Sequence, residues 1–167
     1  MRWMGEYLAK EGFSVLGIRL AGHATNPEDM IRTRYIDWIH SVEDGYHLLK
    51  GVADRVVLIG LSMGGVLSLL MASKLKVAGV IAMSAPYELT DPRIKHAKIA
   101  SETIQFIPKG DDEPGSGWFD KDAWREQVSY PENPVRSVAE LDALTAEMRA
   151  ALPKVDVPTL LVHSRND

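Results

Sequence analysis

The chain has no cysteine among its 167 residues. That excludes disulfides, thiolate metal sites and a cysteine nucleophile, and it fits a reducing compartment, so a cytoplasmic location is the expectation. Positive charge is also scarce. Lys and Arg number 19 against 23 Asp and Glu, a net charge of −4 at pH 7 with no basic cluster. Such a surface offers nucleic-acid phosphates no footprint. The opening residues Met1-Arg-Trp-Met-Gly-Glu-Tyr7 contain no uninterrupted apolar core, so no signal peptide is read there. One uncharged stretch, residues 56–73 between Arg55 and Lys74, approaches the length of a bilayer span. Its glycines and serines, with β-branched residues gathered near its start, favour strand, turn and helix instead. No stable membrane insertion is expected, and no metal or organic cofactor is implied.

What is present is an alternation. Trp3, Met4, Tyr7 and Leu8 recur at helical spacing, with Gly12 placed to end the helix. Residues 13–20 read as a buried strand, and 21–33 as a loop rich in Gly, Asn, Pro and Asp. Ile36, Ile39, Val42, Tyr46 and Leu49 mark a second amphipathic helix. Strands are expected at 55–61, 77–84 and 157–163, with a helix at 63–75 between the first two. Continuous apolar strands alternating with helices indicate a mostly parallel sheet flanked by helices, an α/β fold.

After Pro86 the pattern changes. Residues 87–153 hold most of the prolines and no convincing strand, with a polar Gly-rich loop at 109–117. Helices are expected at about 92–106, 120–129 and 138–152, the last opened by a capping box at Ser137-x-x-Glu140. The expected organisation is a core of 1–86 and 154–167 interrupted by a helical cap at 87–153.

The chemistry centres on Val57-Leu-Ile-Gly60-Leu-Ser62-Met-Gly64-Gly65. An apolar strand running through Gly-x-Ser-x-Gly into an apolar helix is how a serine is presented as a nucleophile, on a turn that needs small residues at 60 and 64. The pattern alone is weak, and its placement between strand and helix is what gives it weight. The competing reading is structural: the glycines allow close packing and Ser62 caps the helix. Asp167 follows a strand, in the right chain order for a catalytic acid. It stands equally well as a solvated turn.

With these motifs, Arg19 to Met30, the Ile36-Asp-Trp-Ile39 helix, Met83-Ser-Ala-Pro86 and Val157-Pro-Thr-Leu-Leu-Val-His-Ser-Arg-Asn-Asp167 resemble the bacterial carboxylesterase and monoacylglycerol lipase group of α/β-hydrolases. The resemblance runs along essentially the whole chain. It implies an α/β-hydrolase fold and a serine carboxylic ester hydrolase acting through an acyl-enzyme on a small-molecule ester. Ser62 would be the nucleophile, Asp167 the triad acid and the Met63 N–H an oxyanion donor. Apolar residues of the cap (Ile104, Phe106, Ile107, Trp124, Leu141, Leu144, Met148) would line an acyl-chain pocket or pack the cap onto the core.

The departures are specific. The family's His-Gly-x-x-Gly oxyanion loop and its catalytic histidine have no counterpart in these residues, so a partial domain, inactive alone, is expected. None of His23, His40, His47, His96 and His163 is expected to replace the base. Where the family usually has Gly-His-Gly, this chain has Gly22-His23-Ala24. In the family's sheet a further strand lies between those matching 13–20 and 55–61, so the first should lack a neighbour, the second should have an open edge, and the chain made alone is expected to be poorly soluble or unstable. A soluble, cooperatively melting monomer would contradict this. Two other readings are a serine peptidase of the same fold, with Glu102, Asp111, Asp112 or Glu113 meeting a substrate amine, and a non-catalytic degenerate copy.

Overall fold

The computed structural model describes residues 1–109, 120–126 and 128–165. In chain order the elements are α1 (Arg2–Lys10), α2 (Pro27–Arg32), α3 (Tyr35–Lys50), β1 (Val57–Leu61), α4 (Met63–Ala72) and β2 (Gly79–Met83). There follow a 3₁₀ turn (Pro92–His96), α5 (Ala97–Ala100), β3 (Phe106–Pro108), α6 (Lys121–Arg125), β4 (Glu132–Pro134), α7 (Val135–Ala151), a second 3₁₀ turn (Leu152–Lys154) and β5 (Thr159–Val162).

A parallel three-stranded sheet in the order β1-β2-β5 carries the core. Helix α4 is apolar all round and buried from Gly65 to Ala72, which is what a helix enclosed on every side requires. It packs on β1 and β2 and is covered by α3 and α7. Trp38, Val66, Leu70, Leu144 and Met148 meet there with almost no exposure. The uncharged stretch 56–73 is thus strand, turn and helix. Among the described residues no helix is long and apolar enough to cross a membrane.

Several local expectations are corrected. Residues 13–20 form no strand: among the described residues no neighbour supplies ladder partners, and Ile18 and Leu16 lie instead against Gly45 of α3. The expected loop at 21–33 contains α2, started by the Asn26 side chain accepting the Asp29 N–H (2.9 Å) and by Pro27 at the first turn. Strand β5, expected in the core, is exposed along its length, because nothing among the described residues covers it. Residues 87–153 do contain strands, the short antiparallel pair β3–β4. The helix expected at 92–106 is broken into the first 3₁₀ turn and α5, and that at 120–129 is reduced to α6.

Helix α7 begins at Val135, so Ser137 and Glu140 lie inside it and form no capping box. Their side chains reach another element. Ser137 Oγ donates to the Met30 carbonyl (3.3 Å), and Glu140 Oε2 accepts the Tyr35 N–H (3.1 Å). Glu140 is buried, and its Oε1 accepts from Arg136 Nε at 2.9 Å with Arg34 Nε at 3.7 Å. Burial, then Glu147 and Glu140, pushes the Tyr35 phenol above its usual range. A polar seam therefore joins α7 to the start of α3.

Candidate active site

Ser62 links β1 to α4 with φ 54° and ψ −121°. A non-glycine residue there carries strain of about 1–3 kcal/mol, which persists only where the surroundings over-determine it. They do so here. The Ser62 N–H donates to the Met83 carbonyl (2.8 Å), and its own carbonyl accepts from Gly65 (2.8 Å) and Val66 (3.1 Å). The backbone is fully engaged while the side chain is exposed and makes no capping bond to α4. The alternative in which the Ser62 hydroxyl merely caps the helix is not realised. Met63 opens α4, so its N–H has no acceptor within the helix.

Of the two positions expected to need a small residue, 60 does and 64 does not; 65 takes its place. A Cβ on Gly60 would overlap the Gly64 carbonyl and come within 2.5 Å of the Gly65 nitrogen. A Cβ on Gly65 would lie 2.8 Å from the Ala85 Cβ. On Gly64 it would meet nothing within 4 Å. The turn needs glycine at 60 and 65; at 64 it uses only the backbone.

The last register row of the sheet is Leu61, Met83 and Val162. The next residues, Ser62, Ser84 and His163, stand side by side at the carboxyl edge, where open α/β sheets bind ligands. The Ser84 N–H donates to the Val162 carbonyl (2.8 Å), and Ser84 also has a positive φ, 45°. The sequence reading assigned no role to Ser84 or to Ala85, which backs the turn through Gly65. Their only local signal is a run of small residues after an apolar strand.

Beside this row lies a cleft of about 700 Å³, lined by Ser84, Glu88, Met148, Leu161 and His163 among others, with Ser62 and Met63 outside its lining. Of the apolar residues considered for an acyl pocket, Leu144 is wholly core and Met148 serves both core and cleft. Leu141 packs on the core, while Ile104 and Ile107 are exposed. Glu102 is exposed, and Asp111, Asp112 and Glu113 lie outside the described residues.

The histidines are scattered. His23 stands edge-on to Trp38, with ring centroids 6.0 Å apart, and its Nδ1 is 3.1 Å from the Ala21 carbonyl. His40, His47 and His96 are exposed on other elements. Among the described residues none hydrogen-bonds Ser62 Oγ. Asp167 lies outside the described residues.

The loop bearing His23 has positive φ at two positions, of which only the non-glycine one is strained. Gly22 has φ 72°, and a Cβ there would lie 2.5 Å from Thr33 Oγ1. Ala24 has φ 55°. Glycine adopts that conformation at little cost, so Ala24→Gly is expected to stabilise the protein by about 0.5–1 kcal/mol. Urea unfolding measures this, and a lower midpoint would contradict it.

A strained serine between an apolar strand and an apolar helix, at the carboxyl edge of a parallel sheet, sets the frame for comparison. A model of the alpha/beta hydrolase family matches residues 3–167. The chain belongs to the alpha/beta hydrolase family. Among similar hydrolases is the thermostable monoacylglycerol lipase of Bacillus sp. (strain H-257), 33% identical over the whole of this chain and 64% of that protein. The carboxylesterase of Bacillus subtilis (strain 168) is 26% identical, over the whole chain and 66% of its own length. A solved hydrolase structure, from work on the metagenome-derived lipolytic enzymes LipS and LipT, superposes with a TM-score of 0.87 at 27% identity, covering 99% of this chain and 66% of that one. The chain thus spans about two thirds of the length of each of these relatives.

Proposed function

We propose that this chain carries the nucleophile of a serine carboxylic ester hydrolase, with Ser62 attacking the ester carbonyl. The observation that carries the reading is the Ser62 turn: strained backbone, its N–H and C=O both engaged, and an exposed hydroxyl with no hydrogen-bond partner among the described residues. In the step, Ser62 Oγ bonds to the carbonyl carbon and its proton passes to a general base. The carbonyl π electrons move onto oxygen, for which the Met63 N–H at the start of α4 is the proposed donor. Collapse expels the alkoxide, which takes the proton held by the base and departs as alcohol, leaving an acyl-enzyme. Water, deprotonated by the same base, then hydrolyses the acyl-enzyme. Asp167 is the proposed acid that orients the base. The base role is assigned to none of the five histidines.

Residues 87–153 are proposed as the cap over a core of 1–86 and 154–167, with α7 as its root. The substrate class, small carboxylic esters including monoacylglycerols, is suggested by the names of the relatives. The test is labelling of the full-length protein by a fluorophosphonate probe, with peptide mapping; residues 1–167 alone, with no base assigned, are expected to label no more than their Ser62→Ala control. In the full-length protein the label is expected on Ser62 and absent in Ser62→Ala. A label elsewhere, or one that survives the substitution, would overturn the assignment.

A further inference from the structure

The loop 22–25 is held from within its own region and from one distant residue. Arg19 donates to the His23 carbonyl (3.0 Å), the His23 N–H donates to Leu20 (3.0 Å), and Trp38 Nε1 donates to the Ala21 carbonyl (3.1 Å). The distant partner is Tyr130, between α6 and β4. Its hydroxyl donates to the Gly22 carbonyl (2.8 Å) and accepts the Thr25 N–H (3.0 Å). Thr25 Oγ1 lies 3.3 Å away. A phenol has one proton and two acceptor sites. With its proton on Gly22, it takes Thr25 Oγ1 as a second donor, and its capacity is then full.

Among the described residues, every hydrogen bond from 87–153 to this loop comes from Tyr130. The other links across the seam, Ser137 to Met30 and Glu140 to Tyr35, reach residues further along. The segment that Tyr130 grips contains both positive-φ residues, Gly22 and Ala24. Ala24, the non-glycine of the two, is strained there, and strained backbone relaxes when its external partners leave. The Tyr130 ring, packed against the core cluster, positions the hydroxyl.

We propose that the Tyr130 hydroxyl is a latch that couples the pair β3–β4 to the loop 22–25, so that these two open together while α7 stays on the core. This rests on the reading of 87–153 as a cap. Tyr130→Phe keeps the ring and removes only the bonds. Hydrogen exchange by mass spectrometry on the intact chain tests it, following peptides over 20–26, over β3 and β4, and over α4.

In Tyr130→Phe, exchange at 22–25 and in β3–β4 is expected to rise about tenfold or more, with α4 unchanged. No change at 22–25 would overturn the latch. Acceleration confined to 22–25 would overturn the coupling, and equal acceleration in α4 would reduce Tyr130 to a general stabiliser. The unsubstituted protein tests the cap separately. There β3–β4 should exchange faster than α4. Equal, slow exchange in both would sink the cap reading itself, whatever Tyr130→Phe does.

Discussion

Gly60→Ala is expected to abolish the native fold around β1 and α4, at a cost above about 4 kcal/mol. The added methyl would overlap the Gly64 carbonyl and crowd the Gly65 nitrogen, and both are backbone atoms. A side chain could rotate away; this backbone cannot. Gly65 is pressed by Ala85, and the Ser62 carbonyl already accepts the Gly65 and Val66 N–H groups. Relief would require the first turn of α4 to leave the sheet, exposing Val66 and Leu70 from the centre of the core. Gly64→Ala is the internal control. Its methyl meets nothing within 4 Å, so the substitution should be neutral or stabilise α4 by up to about 1 kcal/mol. Urea unfolding of the two variants separates them. Similar losses in both would show that the turn is not governed by this contact.

Ser62 should respond in opposite directions by two measures. In the full-length protein, if Ser62 is the nucleophile, Ser62→Ala lowers ester hydrolysis by about 10⁴–10⁶-fold, because no other group forms the acyl bond. Ser62→Gly should be as inactive yet more stable, by about 1 kcal/mol, since φ 54° and ψ −121° suit glycine better than any L residue. Probe labelling together with thermal melting measures both. A destabilised Ser62→Gly would mean that the hydroxyl, not the strain, dominates at this position.

The elements legible from sequence were those whose signal is local. The strands at 57–61 and 79–83 and the helix at 63–72 follow from apolar runs and the glycine-flanked serine between them. Helix α3 follows from spacing, although Ile36, counted on its apolar face, is exposed and Trp38 is buried. The Asn26-Pro27 start of α2 was legible in principle, but six helical residues are too few to show a period. Ser137-x-x-Glu140 misled for a different reason. The same side chains that cap a helix can bond to another element, and Met30 and Tyr35 are brought close only by packing.

By itself, then, the sequence determined the parallel α/β character, the strand–turn–helix that bears Ser62, and the resemblance to ester hydrolases. These depend on short-range apolar pattern and on residue types required by one tight turn. Tertiary structure alone decided which glycine the turn cannot lose, that Ser62, Ser84 and His163 share one edge, and that Tyr130 grips the loop at Gly22. The Gly65–Ala85 approach, the shared edge and the Tyr130 bonds join residues far apart in the chain, and the Gly60 clash, though local, depends on the exact path of the turn. No local propensity encodes such contacts, because their stabilisation exists only once the strands are in register and α7 is seated on the core.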